Sequence, residues 1–142
     1  MATVSVDCAL ANQSGRAILT TRGHHNIIDS PPPLGGPNEE LNPLDYLLGA
    51  LASCATFVCE TAAGELDIPL QGISTNVEGD FDPSAVKKDA DGNPRITAVR
   101  VKIQMKGPEQ DQADALVAEF KKRCPVYTTL ARATDIEITT SI

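Results

Sequence analysis

The first third of the chain has the apolar and polar pattern of antiparallel strands. Residues 3–10 alternate in polarity, which predicts a half-buried strand with one apolar face, formed by Val4, Val6, Cys8 and Leu10. Turn residues then separate two further strands, predicted over residues 16–22 and 25–29. We therefore expect a three-stranded meander in which Cys8 is core filler.

A long run without any charged residue follows, between Asp45 and Glu60, although 22% of the chain is charged. Asn42 is a suitable N-cap, and Pro43 suits the first helical position because it lacks an N–H that would be unpaired there. The run predicts a core helix that is buried on every side and stops near Gly64. The uncharged run is also short for a membrane span, so no membrane partner is expected.

The connection before this helix, residues 30–37, holds four prolines and two glycines, which disfavour a helix or an interior strand. It is expected to be either a plain connector or a wall of a site. After the helix, alternation predicts strands over residues 71–79 and 99–105, joined by a polar excursion over residues 81–95.

The last part of the chain predicts two helices and a strand. A helix beginning at Gly107 and Pro108 has acidic residues early, basic residues late, and an apolar stripe formed by Ala113, Leu116, Val117 and Phe120. A short helix follows from Pro125, with Cys124 as its N-cap. A final strand is predicted over residues 136–142. This order predicts a single α+β domain over residues 1–142, with helices packed on antiparallel sheet.

Composition narrows the function classes. The net charge of −7 argues against a nucleic-acid partner, which needs a basic surface. The N-terminal sequence has no basic and apolar export signal, so a cytoplasmic location is expected. Scattered cysteines and adjacent histidines give no metal-ligand spacing, and no metal or other cofactor is expected.

Four cysteines in a reducing compartment suggest reactive or buried thiols rather than a disulfide scaffold. Cys124 has the more favourable local setting for a thiolate, because it opens a helix after three basic residues. Cys54 lies in the middle of an apolar helix, so burial should raise its pKa unless another segment brings a cation, with Arg16 and Arg22 as candidates. Asp45 lies nine residues from Cys54, on the opposite face of the helix, and is expected to return a capping hydrogen bond to Asn42.

Two motifs resemble those of the OsmC/Ohr family, the osmotically induced and organic hydroperoxide resistance proteins. Residues 42–54, NPLDYLLGALASC, resemble the family's helix motif "P-x-E-L-L-x-A-A-L-A-x-C". Residues 123–126, RCPV, with Leu130, resemble its second motif, "x-C-P-V". The order of strands and helices agrees as well, so the resemblance spans nearly the whole chain.

The resemblance implies an intertwined homodimer with antiparallel sheets around a long central helix. It also implies a thiol peroxidase that reduces organic hydroperoxides in oxidative or osmotic stress. Cys54 would attack the peroxide and become a sulfenic acid, and Cys124 would condense with it to a disulfide that an external dithiol reduces. Asp45 stands as a supporting residue.

The chain departs from the peroxidase pattern at two positions. The family's glutamate aligns with Leu44, and its activating arginine aligns with Gln13. Two alternatives therefore stay open beside the peroxidase. One is a non-enzymatic dimer that binds an apolar small molecule between its long helices, and the other is a thiol redox sensor. Cys59 is expected to be buried filler.

Overall fold

The computed structural model describes residues 1–132 and confirms an α+β chain with the predicted order of elements. The strands are β1 Asp7–Leu10, β2 Arg16–Thr21, β3 His24–Asp29, β4 Gly72–Asp80 and β5 Ala98–Lys106. The helices are α1 Pro43–Glu65, α2 Gln110–Arg123 and α3 Pro125–Leu130. The strand predicted over residues 136–142 lies outside the described residues.

The chain divides into two compact units. The first comprises residues 1–48 and 79–99, and the second comprises residues 49–78 together with the chain from Arg100 onward. Elements α1, β4 and β5 each contribute residues to both units. The single domain predicted from the sequence stays a prediction.

In the first unit, β1, β2 and β3 form the predicted antiparallel meander, in that order across the sheet. Arg22 and Gly23 both have positive φ, 49° and 79°, which is the backbone of a two-residue turn between twisted strands. This turn pairs Thr21 with His24 and so fixes the register in which Arg16 faces Asp29.

The prediction of a half-buried first strand is wrong for this chain. Strand β1 begins at Asp7 rather than at residue 3, and all four of its residues are exposed, Cys8 included. Strand β1 lies at the edge of a three-stranded sheet, and the described chain covers neither of its faces enough to bury a side chain, although the sequence alternates. Cys8 is therefore not core filler.

The loop of residues 30–37 contains one helical turn, although its prolines led us to expect no helix there. Residues Pro32–Leu34 form a 3₁₀ turn, closed by the Gly35 amide, which donates to the Pro32 carbonyl at 2.9 Å. Proline fits because it occupies the start of the turn, where its missing N–H costs nothing.

Both ends of helix α1 are stabilised by local bonds. The Asn42 side chain accepts from the Leu44 and Asp45 amides at 2.8 and 3.2 Å, and the Asp45 carboxylate accepts from the Asn42 amide at 2.9 Å. This confirms the predicted cap. At the other end the helix passes Gly64 and stops where Asp67 takes φ = 52° and the Ile68 amide donates to the Ala63 carbonyl, a Schellman arrangement.

Helix α1 is buried along one stripe rather than on every side, which corrects the sequence prediction. The buried stripe is formed by Leu51, Ala55, Cys59, Ala62 and Ala63. On the opposite face Phe57 is 63% exposed. The helix is longer than the uncharged run that suggested its length, and by length and composition its 23 residues could cross a membrane. Its buried stripe packs in the core of the second unit, as a core helix does.

The apolar core of the described chain sits in the second unit. Leu116 and Phe120 of α2 pack with the buried stripe of α1, and the inward faces of β4 and β5 cover the cluster with Ile73, Val77, Val101, Ile103 and Met105. Of the apolar stripe predicted for α2, Leu116 and Phe120 are therefore confirmed as core residues, whereas Ala113 and Val117 are only partly buried. The helix begins at Gln110 rather than at Gly107 and Pro108, because Glu109 and Gln112 form a capping box there.

Candidate active site

The second unit brings two of the four cysteines together. Cys54 lies on α1 beside the buried stripe and stays partly exposed, whereas Cys124 is fully buried in the junction between α2 and α3. Both are free thiols. Cys54 packs against the core cluster that contains Cys124, and its thiol is close enough to the Cys124 thiol for the latter to raise its pKa, so two distant segments bring their cysteines together.

The junction that holds Cys124 is built by local bonds. The Cys124 amide closes α2 on the Phe120 carbonyl at 3.0 Å, and the Cys124 sulfur accepts from the Tyr127 amide at 3.3 Å as the N-cap of α3. The predicted N-cap role is thus confirmed. The Phe120 and Tyr127 rings pack with centroids 5.2 Å apart and hold the two helices together. Pro125 starts α3 and fixes the turn.

Two residues of the basic run before Cys124, Lys122 and Arg123, form ion pairs with carboxylates. Arg123 pairs with Glu65 at the end of α1, with its Nη2 3.0 Å from Oε1 and a second, shorter contact from Nη1. It also contacts Glu119 one turn back in α2, as Lys122 does. These basic side chains lie in the last turn of α2, where positive charge stabilises the helix by interacting with its dipole.

The pKa of Cys54 is raised to about 11, mainly because burial disfavours the thiolate. The neighbouring Cys124 thiol raises it further, and the Val126 amide lowers it by donating a hydrogen bond to the sulfur. At pH 7 only about one Cys54 thiol in ten thousand is then ionised. Burial raises the pKa of Cys54 by more than the Val126 amide lowers it, as the position of Cys54 in an apolar helix predicted.

Cys59 and Asp45 form their contacts away from the Cys54 and Cys124 thiols. Cys59 is fully buried on the α1 stripe, where its thiol contacts the Leu116 carbonyl at 3.7 Å, which confirms it as buried filler. Asp45 holds the N-terminus of α1. Within residues 1–132, no group of three or more histidine, cysteine and carboxylate side chains is arranged to hold a metal.

Arg16, one candidate for activating Cys54, forms its hydrogen bonds with residues of the first unit. Its guanidinium donates to both oxygens of the buried Asp29 at 2.7 and 2.8 Å, to Glu39 at 2.8 Å and to Gln13 at 2.9 Å. Asp29 also accepts from the Glu39 and Glu40 amides, and this guanidinium and the two amides hold its pKa well below its usual range.

Two of these features were not found in the sequence. The Val126 amide leaves no trace in residue type, since every residue but proline carries one. The Arg16–Asp29 pair did leave a signal, because a two-residue turn at Arg22 and Gly23 places these residues opposite each other.

Comparisons with known proteins identify the family and the fold. A family model described as OsmC-like protein matches residues 36–139. No curated protein matches the chain.

Solved structures match nearly the full chain at low sequence identity. An OsmC-like protein of Mycoplasma pneumoniae is 19% identical with a TM-score of 0.77, covering 93% of this chain and 89% of its own. An organic hydroperoxide resistance protein of Legionella pneumophila is 20% identical with a TM-score of 0.64, covering 92% and 90%. One described as a putative organic hydroperoxide resistance protein of Vibrio cholerae, with captopril bound in one of its active sites, is 18% identical with a TM-score of 0.61, covering 94% and 86%.

These likenesses concern the fold, and the family model covers most of the sequence, including both cysteine motifs. The chain belongs to the OsmC-like protein family.

Proposed function

We propose that this protein is a thiol-dependent peroxidase that reduces organic hydroperoxides with Cys54 and Cys124. The observation that carries the proposal is the contact between the two thiols, one partly exposed and one buried. Exposure suits the thiol that meets the peroxide, and burial beside it suits the thiol that closes a disulfide. Solved structures of the same fold include proteins described as organic hydroperoxide resistance proteins.

The proposed cycle has three steps. The Cys54 thiolate attacks one peroxide oxygen, the O–O bond breaks, and the alkoxide leaves as an alcohol after taking a proton. Cys54 is then a sulfenic acid, and the Cys124 sulfur attacks it, releasing water and forming a disulfide. An external dithiol reduces this disulfide and returns both thiols. No cofactor takes part.

The local bonds of α3 support the first two steps. The Val126 amide favours negative charge on the Cys54 sulfur, and the α3 N-cap keeps Cys124 in place beside it. A reducing cytoplasm would supply the dithiol. Asp45 supports the site indirectly, because its cap fixes the start of the helix that carries Cys54.

We infer that the working form is a homodimer. The outward face of α1 exposes Phe57 next to the small residues Ala50 and Ser53, and the exposed Glu60 follows one turn later. An exposed aromatic ring flanked by small residues is typical of a buried interface. A second copy of the chain, as the resemblance implies, would cover it.

The test is a thiol titration after one equivalent of cumene hydroperoxide, followed by mass spectrometry of the peptides. We expect the loss of two thiols and a Cys54–Cys124 linkage. Cys54→Ser should abolish hydroperoxide consumption, whereas the matched control Cys8→Ser should leave it within about twofold. Unchanged consumption by Cys54→Ser would end the proposal.

A second candidate, a non-enzymatic binding protein, is favoured by the raised pKa of Cys54. A thiol that is rarely ionised reacts slowly, so this candidate predicts that both cysteines survive the hydroperoxide. The same titration separates the two functions.

A further inference from the structure

The first turn of α3 is capped by the two cysteine sulfurs. The first four N–H groups of a helix have no partner inside that helix. At the start of α3, the Cys124 amide closes the preceding helix and Pro125 has no N–H. The Val126 amide donates to the Cys54 sulfur. The Tyr127 amide donates to the Cys124 sulfur at 3.3 Å. The thiol pair therefore accepts from both of the remaining amides that open this helix.

Helix α3 is short enough for these two bonds to matter. It spans six residues, Pro125–Leu130, and isolated helices shorter than about 12 residues are marginal in water. Its backbone bonds include those from the Thr128 amide to the Cys124 carbonyl at 3.0 Å and from the Ala131 amide to the Tyr127 carbonyl at 2.9 Å. Loss of one N-cap bond lowers the equilibrium constant for helix formation about fivefold.

Disulfide formation displaces these acceptors. A covalent bond draws the Cys54 and Cys124 sulfurs closer together than two thiols can lie, so at least one sulfur moves relative to the amide that donates to it. Sulfur is a weak acceptor, and a hydrogen bond weakens steeply once its donor and acceptor are misaligned. An amide that loses its acceptor is costly unless water replaces it. The first turn of α3 should therefore be less stable beside the disulfide than beside the thiol pair.

We propose that the cysteine pair and α3 form a redox-sensitive switch, in which the two thiols cap the helix and their disulfide releases its first turn. The disulfide forms when the Cys54 sulfenic acid condenses with the Cys124 thiol and water leaves, so the inference rests on the proposed function for its oxidant. Cys124 is fully buried in the reduced protein. Release of α3 would uncover the Cys124 side of the disulfide and open the oxidised site to the external dithiol.

The test is amide hydrogen exchange of the full chain, measured by peptide mass spectrometry in the reduced form and in the disulfide form. Diamide makes the disulfide by taking one hydrogen from each thiol, and it needs no peroxidase activity. We expect the amides of residues 125–130 to exchange at least fivefold faster in the disulfide form. Peptides from β2 and β3 are the internal reference and should exchange within twofold in the two forms.

Cys124→Ser and Cys124→Ala are a matched pair of variants, and neither can form the disulfide. Serine retains a side-chain acceptor for the Tyr127 amide, whereas alanine removes it. Exchange in α3 should be at least threefold faster in the alanine variant, and diamide should change it in neither. Cys54→Ser should likewise not respond to diamide, which excludes an effect of oxidation at Cys8. Circular dichroism establishes that each variant is folded, and the comparison of the two wild-type forms needs no variant.

The switch and the peroxidase can fail separately. If cumene hydroperoxide leaves both thiols intact but the disulfide made with diamide loosens α3, the peroxidase is refuted and the switch stands. If cumene hydroperoxide forms the disulfide and α3 then exchanges as slowly as in the reduced protein, or more slowly, the switch is overturned and the peroxidase stands. Equal exchange in the serine and alanine variants would also overturn the switch. Failure of both oxidants to form the disulfide would overturn both proposals.

Discussion

The two facing thiols have opposite tendencies at the scale of single residues. Proximity of Cys124 to Cys54 favours a disulfide once Cys54 is oxidised, but burial of Cys54 disfavours the thiolate that starts the reaction. The Val126 amide offsets part of that burial. Ionisation of Cys54, rather than disulfide closure, should therefore limit the rate.

The alkylation rate of Cys54 should accordingly depend steeply on pH. Because its pKa is raised to about 11, the thiolate fraction grows about tenfold per pH unit between pH 7 and pH 10, and the rate with iodoacetamide should follow. Peptide-resolved mass spectrometry of the reduced protein measures this rate, with the exposed Cys8 as the reference thiol in the same samples. A plateau below pH 8 would show that another group activates Cys54.

Sequence reasoning at this scale succeeded where one residue type acts on near neighbours. The cap formed by Asn42 and Asp45 and the N-cap role of Cys124 both follow from residues within four positions. The prediction that Cys8 is buried was wrong, because an alternating pattern shows which residues share a face and does not show what covers that face.

At the scale of elements, the turns that join the helices and strands of the second unit are set by backbone constraints. Gly107, between β5 and α2, has φ = 107°, and a Cβ there would lie 2.1 Å from the Pro69 carbonyl oxygen. A side chain at this position would force both segments apart. Gly64, near the end of α1, has no such neighbour.

Gly107→Ala should therefore destabilise the protein by more than about 2 kcal/mol, through backbone strain and a steric clash. Gly64→Ala is the matched control and should raise the free energy of unfolding by up to about 1 kcal/mol, since alanine is the better helix former. Urea unfolding of both variants measures the difference. Equal stability of the two variants would mean that the loop relaxes around the new Cβ.

At the scale of the whole molecule, the exposed apolar residues are the feature that a single chain leaves unexplained. Phe57 on α1 is 63% exposed, and Leu10 on the edge strand β1 is 86% exposed. Isolated cases of this kind are ordinary, but an aromatic ring that is exposed beside small residues, as on α1, is typical of an interface.

Phe57→Glu should convert the proposed dimer to a monomer, because it places a charge at the centre of the apolar face of α1. Size-exclusion chromatography with light scattering should give twice the 15.0 kDa chain mass for the wild type and the chain mass for the variant. Ser74→Glu introduces the same charge at an exposed position of β4 and should stay dimeric. A wild-type protein that elutes as a monomer would refute the dimer directly.

The sequence by itself determined the order of elements, the bounds of most of them within a few residues, the caps of α1 and α3, and the two cysteine motifs. These depend on hydrophobic period, turn residues and hydrogen bonds between near neighbours, all of which are written locally. The tertiary structure alone decided that α1 is buried along one stripe, that Cys54 lies beside Cys124, and that Pro31 and Leu34 of the loop over residues 30–37 line a pocket. Contacts between distant segments depend on how elements pack, and a pattern along one element does not specify its partner.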